Sequence, residues 1–149
     1  MQYDDNDVHS LALVAWKEAR GEHDACIKQG LDGNAGMQAV MHVCVNRCGH
    51  SGFAHTLHDV IYGKNQFTSM SVPSDPEFNL QPVDGDPQFV YCMQAAKNIL
   101  DGNDEDITKG AHYYGNLKYC TSGWFFNHIV NDSTNHPQLA VIGHQTFYL

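Results

Sequence analysis

The stretch Asp7-Val8-His9-Ser10-Leu11-Ala12-Leu13-Val14-Ala15-Trp16-Lys17-Glu18-Ala19-Arg20-Gly21-Glu22 decides how this chain is read. Asp7 is a good N-cap, and Val8, Leu11, Ala12, Ala15 and Ala19 recur at helical spacing up to Gly21, which can end the helix. Glu18 breaks the pattern. Helical steps back from it reach Ala15, Val14 and Leu11, so an acid projects from the apolar stripe in the last turn. Burial disfavours the charged form of a carboxyl group, and a general acid must hold a proton near neutral pH. A buried acid is also a common structural partner of arginine, and Arg20 and Arg47 are both available. The rest of the chain has to decide between these roles.

With 149 residues and 42% hydrophobic content, the chain can build one domain, 1–149, around one substantial core. A net charge of -9 with no run of Lys or Arg argues against a nucleic-acid binder. The opening Met1-Gln2-Tyr3-Asp4-Asp5-Asn6-Asp7 is acidic where an export signal needs a basic and then an apolar run, and no stretch is long enough for membrane insertion. The expectation is a soluble, monomeric protein made in the cytoplasm. Five cysteines cannot all pair within one chain, so reduced thiols are expected. Cys44 and Cys48 share helical spacing with Met37, Val40 and Met41, which reads them as core thiols. A zinc clip with His50, His55 or His58 is the minor alternative, and no metal or other cofactor is expected.

Further helices are predicted from about Ala35 to Arg47, from Thr56 to Tyr62 with Gly63 beyond, and from Pro87 to Leu100. Thr56 and Asp59 resemble a capping box; Asp86 is an N-cap, Pro87 sits at the first helical position and Gly102 lies past the end. Ala111-His112-Tyr113-Tyr114 reads as a short strand, and Leu139 to Tyr148 as a hairpin with Gly143 at the first central position of a II′ turn. The fold class is therefore α+β, mainly helical with a small antiparallel sheet. Two irregular segments, roughly Lys64 to Gly85 and Gly115 to Gln138, are too long for simple connections and become candidate cleft walls.

Several strings, in order, carry a family resemblance: Glu18-Ala19-Arg20-Gly21-Glu22, Val45-Asn46-Arg47, Gln66-Phe67-Thr68, Gly110-Ala111-His112-Tyr113-Tyr114, Ser122-Gly123-Trp124 and His144-Gln145-Thr146-Phe147. The chain resembles the catalytic domain of the spore-cortex-lytic, or cell wall hydrolase, family, and is similar to the wider lytic transglycosylases. That resemblance implies a lysozyme-like fold and peptidoglycan glycan strands as partner, cleaved between N-acetylmuramic acid and N-acetylglucosamine. It implies Glu18 as the catalytic acid, with Gln66, Tyr113 or Tyr114, and Asn116 nearby.

Residue chemistry makes these roles intelligible. A hydrolysing lysozyme needs a second carboxylate, whereas a transglycosylase needs one group acting first as acid and then as base. Glu22 could approach Glu18, but it follows Gly21 and is better read as pairing with Arg20 or Arg47, or as solvated. Asp75, Glu77 and Asp84 are other acids in or beside the cleft segment, but no second catalytic carboxylate is compelling, so the reading tilts toward transglycosylation with hydrolytic muramidase as the alternative. Gln66 and Thr68 are candidate sugar hydrogen-bonding groups, Tyr114 is preferred over Tyr113 as the polar contact to the acid or the sugar, and Trp124 with Phe125 and Phe126 is a candidate stacking wall. Asn46 and Arg47 read as fold-holding. A zinc amidase or peptidase, or a thiol peptidase pairing Cys120 or Cys26 with His112 or His144, would be the other enzyme classes. A catalytic domain without an export signal suggests a phage lysin or a virion-associated enzyme acting on the wall.

Overall fold

The computed structural model describes residues 1–149. The first helix, α1 (Asp5–Ala19), is capped by Asp4 rather than Asp7. The Asp4 carboxylate accepts from the Asp7 backbone N–H at 2.9 Å and the Asp7 carboxylate accepts from the Asp4 N–H at 3.0 Å, so Asp7 is the inner half of a reciprocal capping box. Gly21 does not end the segment. A 3₁₀ turn (Arg20–Glu22) and a short helix α2 (His23–Lys28) follow directly, and the chain turns only at Gly30, with φ +78°.

Helices α3 (Ala35–Arg47), α4 (Leu57–Tyr62) and α6 (Pro87–Leu100) lie where the sequence predicts them. Asp86 accepts from the Phe89 N–H at 2.9 Å and Pro87 opens α6, while Thr56 accepts from the Asp59 N–H at 3.2 Å without the reciprocal half of a box. Helix α1 packs against α6 and α3. Leu11, Val14 and Ala15 are sealed from solvent there with Met37, Met41, Cys44, Cys92 and Ala96. Each large aliphatic side chain so buried stabilises the fold by about 1.5–3 kcal/mol. The two segments expected to be irregular contain short helices: α5 (Thr68–Ser71) in one, and α7 (Gly123–Phe125) running into a π turn (Phe126–Val130) in the other. Elements this short complete barely one turn, so no apolar period exposes them in sequence.

The sheet consists of β1 (Tyr113–Gly115), β2 (Gln138–Ile142) and β3 (Gln145–Tyr148) in the order β1-β3-β2, antiparallel throughout, with Tyr114 opposite Phe147. The first strand begins at Tyr113, not Ala111. The Ala111 and His112 carbonyls are taken by side chains from the end of α3, Asn46 Nδ2 at 3.1 Å and Arg47 Nε at 2.7 Å, so helix side chains replace ladder partners. Gly143 has φ +62° and His144 does not take positive φ, as a II′ turn requires.

Candidate active site

Glu18 projects half-buried from the last turn of α1, and both of its oxygens are held by hydroxyl groups. Tyr114 Oη donates to Oε1 at 2.7 Å and Ser69 Oγ donates to Oε2 at 2.8 Å. Tyr114 is the preferred one of the two tyrosines. Its ring stacks on Phe147 at 5.4 Å between centroids, so β3 fixes the hydroxyl over the acid. Burial, reinforced by the neighbouring Glu18 carboxylate, pushes the Tyr114 hydroxyl well above the ordinary phenol range, which keeps it a proton donor.

Ser69 escapes sequence reading because a single hydroxyl two residues past Phe67 carries no pattern. Helix α5 presents it, and Lys17 anchors that helix. The Lys17 ammonium donates to the Ser69 carbonyl at 3.2 Å and the Phe78 carbonyl at 2.9 Å, and burial holds its pKa below the usual lysine value. Neighbouring side chains on α1 thus serve one site: Glu18 supplies the carboxyl and Lys17 positions the hydroxyl that binds it.

Neither arginine offered by the sequence pairs with Glu18. Arg20 forms a two-pronged ion pair with Glu77, its Nη1 on Oε1 and its Nη2 on Oε2 at 2.9 Å, and its guanidinium stacks 4.1 Å from the Trp16 ring. Glu22 also departs from expectation: it is buried, and it pairs with neither Arg20 nor Arg47. Its carboxylate turns to the terminal hairpin and accepts from the His144 backbone N–H at 2.8 Å, His144 Nδ1 at 2.8 Å and Gln145 Nε2 at 3.1 Å. Gly143 makes that approach possible, since a Cβ there would lie 2.5 Å from Glu22 Oε2. Helix-period reasoning missed this clasp because its partner lies 122 residues away.

A cleft of about 720 Å³ opens beside Tyr114. Arg47, Phe53, Gln66, Tyr113, Tyr114 and Trp124 form much of its wall, with Asn65, Ser122 and Phe125 completing the polar and aromatic surface. No carboxylate stands in that wall; Glu18 meets the cleft through Tyr114. Gln66 and the left-handed residue before it, Asn65 at φ +65°, both line the cleft. Trp124 is 57% exposed, with its ring 6.3 Å from that of Tyr113. Phe125, the middle of the three adjacent aromatics, is the one buried.

Two expected site residues lie elsewhere. Thr68 is not part of the cleft wall, and its hydroxyl donates to Asp75 at 2.6 Å, the local use a hydroxyl commonly finds. Asn116 borders a separate depression with Lys118, Tyr119 and His144, and its side-chain Oδ1 accepts from the Lys118 N–H at 3.2 Å. Arg47 makes the opposite move. Read as fold-holding, it does hold the His112 carbonyl, yet its guanidinium also lines the cleft.

Burial pushes the Cys44 and Cys92 thiols up to about 12 and raises Cys26 as well, the reverse of an activated nucleophile. No three His, Cys, Asp or Glu side chains converge as a metal site requires. Buried His42 instead bonds Asp104 at 2.6 Å, bracing α3 against the loop that follows α6.

The fold and the site together are those of a mainly helical domain with one acid set at the edge of an aromatic, amide-bearing cleft. Residues 32–148 match the cell wall hydrolase family, and the chain belongs to that family. Spore cortex-lytic enzymes from Halalkalibacterium halodurans and Oceanobacillus iheyensis are 29% and 30% identical to it over 146 residues, 97% of this chain. The chain spans 35% and 42% of their lengths. The catalytic domain of the germination-specific lytic transglycosylase SleB from Bacillus anthracis matches with a TM-score of 0.68 and 26% identity, covering 99% of this chain and 97% of that one. The catalytic domain of the Bacillus cereus SleB protein matches equally well, at 0.68 and 26%, over 93% of its own length.

Proposed function

We propose that this chain cleaves the peptidoglycan glycan strand between N-acetylmuramic acid and N-acetylglucosamine by a lytic transglycosylase reaction, with Glu18 as acid and then base. The observation that carries the reading is one carboxyl group gripped by two neutral hydroxyl donors, one of them the Tyr114 that lines the cleft, with no carboxylate in the cleft wall itself. Glu22 is committed to the hairpin, Glu77 to Arg20 and Asp75 to Thr68. Of the two SleB catalytic domains that the chain resembles, the one from Bacillus anthracis is that of a germination-specific lytic transglycosylase, which supports the same class.

In the first step protonated Glu18 gives its proton to the glycosidic oxygen as the bond to muramic C1 breaks, and positive charge develops on the sugar ring. The resulting carboxylate then takes the proton of the muramic 6-hydroxyl while O6 closes on C1. The products are an N-acetylglucosamine end and a 1,6-anhydromuramic end, with no water consumed and the acid restored. Tyr114 and Ser69 orient the carboxyl group through both steps. Gln66 binds an N-acetyl or hydroxyl group, and Tyr113 and Trp124 supply ring faces for sugars.

The test is digestion of purified peptidoglycan followed by mass spectrometry of the products. Anhydromuramic ends are expected; reducing muramic ends would convert the assignment to a hydrolytic muramidase, and free stem peptides would replace it with an amidase. Undiminished product from Glu18→Gln would overturn the role of the acid. The substrate lies outside the cell membrane, so on this reading the chain acts at the wall, as a phage lysin or a virion-borne enzyme does. Lysis of cells from outside and from within, compared on one host, separates those two roles.

A further inference from the structure

Arg47 is an unusual side chain for a cleft wall. It is only 9% exposed, it is permanently charged, and no carboxylate lies within ion-pairing distance of it. Two protein acceptors meet its guanidinium: the His112 carbonyl takes Nε–H at 2.7 Å and Gln66 Oε1 takes Nη1–H at the long distance of 3.4 Å. The remaining N–H groups have no protein acceptor, and none of its nitrogens is a sealed, unsatisfied atom, so they open to the cleft that Arg47 lines. The rings of Phe53 and Phe67, each centred 5.2 Å away, and of Tyr113, at 5.9 Å, surround the cation within cation–π distance. A buried charge ordinarily has a partner, and a preorganised guanidinium fork with free donors matches a carboxylate. The surroundings sharpen the point: a chain with 8 Lys and Arg against 17 Asp and Glu places one of its few cations inside its main cavity.

We propose that Arg47 is the specificity residue that binds a carboxylate of the muramyl unit and so separates muramic acid from N-acetylglucosamine in the cleft. This rests on the glycan-cleaving reading above. Two carboxylates share the required chemistry, the lactyl carboxyl of a muramic acid stripped of its peptide and a carboxyl of the attached stem peptide. Both hang from the same C3 ether that N-acetylglucosamine lacks. Gln66, bonded to Arg47 and lining the same wall, places the amide contact to the sugar beside the charge contact to its substituent.

The experiment titrates isotope-labelled protein with small glycans and follows the Arg47 Nε–Hε resonance by NMR. The ligands are the N-acetylglucosaminyl-N-acetylmuramic acid disaccharide, its methyl ester, the same disaccharide bearing an amide-linked dipeptide, and chitobiose. The free acid or the peptide form should bind at least about tenfold more tightly than ester and chitobiose, as a charge-assisted contact predicts, and should shift the Arg47 signal. Preference for the free acid assigns the lactyl carboxyl; preference for the peptide form assigns the stem. Arg47→Met should reduce the acid-to-ester ratio to about one, and a folded variant that keeps the wild-type ratio overturns the role; if that variant does not fold, the acid-to-ester ratio of the wild type together with the shift of its Arg47 signal decides. Equal binding of all four ligands overturns the role of Arg47 and leaves the glycan reading standing. Binding of none overturns both.

Discussion

Tyr114 Oη lies 2.7 Å from Glu18 Oε1, joining the central sheet to the end of the first helix through a phenol that burial keeps protonated. The contact spans 96 residues of sequence and gives the acid an orientation without a countercharge. Arg20 is taken by Glu77 and Arg47 by the His112 carbonyl, so both hydrogen-bond partners of the acid are neutral hydroxyls.

Removing that hydroxyl should damage catalysis more than folding. Tyr114→Phe is expected to lower kcat by about tenfold to a hundredfold with little change in KM, since one hydrogen bond to the reacting group is lost. Ser69→Ala should fall in the same range. Glu18→Gln should cost about a hundredfold to ten-thousandfold, the span of general acid–base catalysis, and retain the native unfolding midpoint within experimental scatter. Turnover of a soluble glycan measured beside urea unfolding checks all three.

The Glu22 clasp predicts the opposite partition. Glu22→Ala strands the His144 N–H and frees the hairpin, so stability should fall by about 2–3 kcal/mol while each folded molecule still makes the same product. Gly143→Ala should be worse, because its Cβ meets Glu22 Oε2 at 2.5 Å and its φ is +62°. A large loss of turnover in Glu22→Ala at full folding would instead place Glu22 among the catalytic groups.

Trp124 tests the sugar wall. It is exposed in the free protein, so Trp124→Ala should leave stability nearly unchanged and raise KM several-fold, about the size of one aromatic contact. Unaltered KM for a long glycan would remove this ring from the binding surface.

Asp106 predicts a pH dependence of stability. Desolvation acts to raise its pKa, but hydrogen bonds from Thr108 and Asn46 and the nearby His42 outweigh it and hold the carboxyl below its usual range. For a depressed carboxyl the stabilisation is complete above the unfolded value, about 3.9, and is lost as pH falls through the lower folded value. The stability gap between wild type and Asp106→Asn should therefore be constant from neutral pH down to about 5 and close below about 4. Urea unfolding across that range measures it, and a gap that widened on acidification would refute the assignment.

Legibility in the sequence followed the range of the interaction. The stripe around Glu18, the Asp86-Pro87 start of α6 and the Gly143 turn all express spacing within one element, and each stands where the sequence places it. Asp7 and Asn116 were harder, because Asp4 and Asp7 carry the same capping chemistry and a residue just after a strand can face either depression. Ser69 was invisible for the same kind of reason: nothing local distinguishes a hydroxyl that meets a carboxylate 51 residues away.

The sequence alone determined that a helix would carry an acid on its apolar face, that the domain would be mainly helical with a small sheet, and that an ordered set of strings resembled one family of wall-cleaving proteins. Those properties depend on periodicity and order, which a linear chain states directly. Only the tertiary structure decided what each polar group touches. It assigned Tyr114 and Ser69 to Glu18, turned Glu22 to the hairpin, gave Arg20 to Glu77 and left Arg47 facing the cleft without a carboxylate. Hydrogen bonds and ion pairs act over a few ångströms, so partners for them are chosen by which elements pack together and not by their distance along the chain.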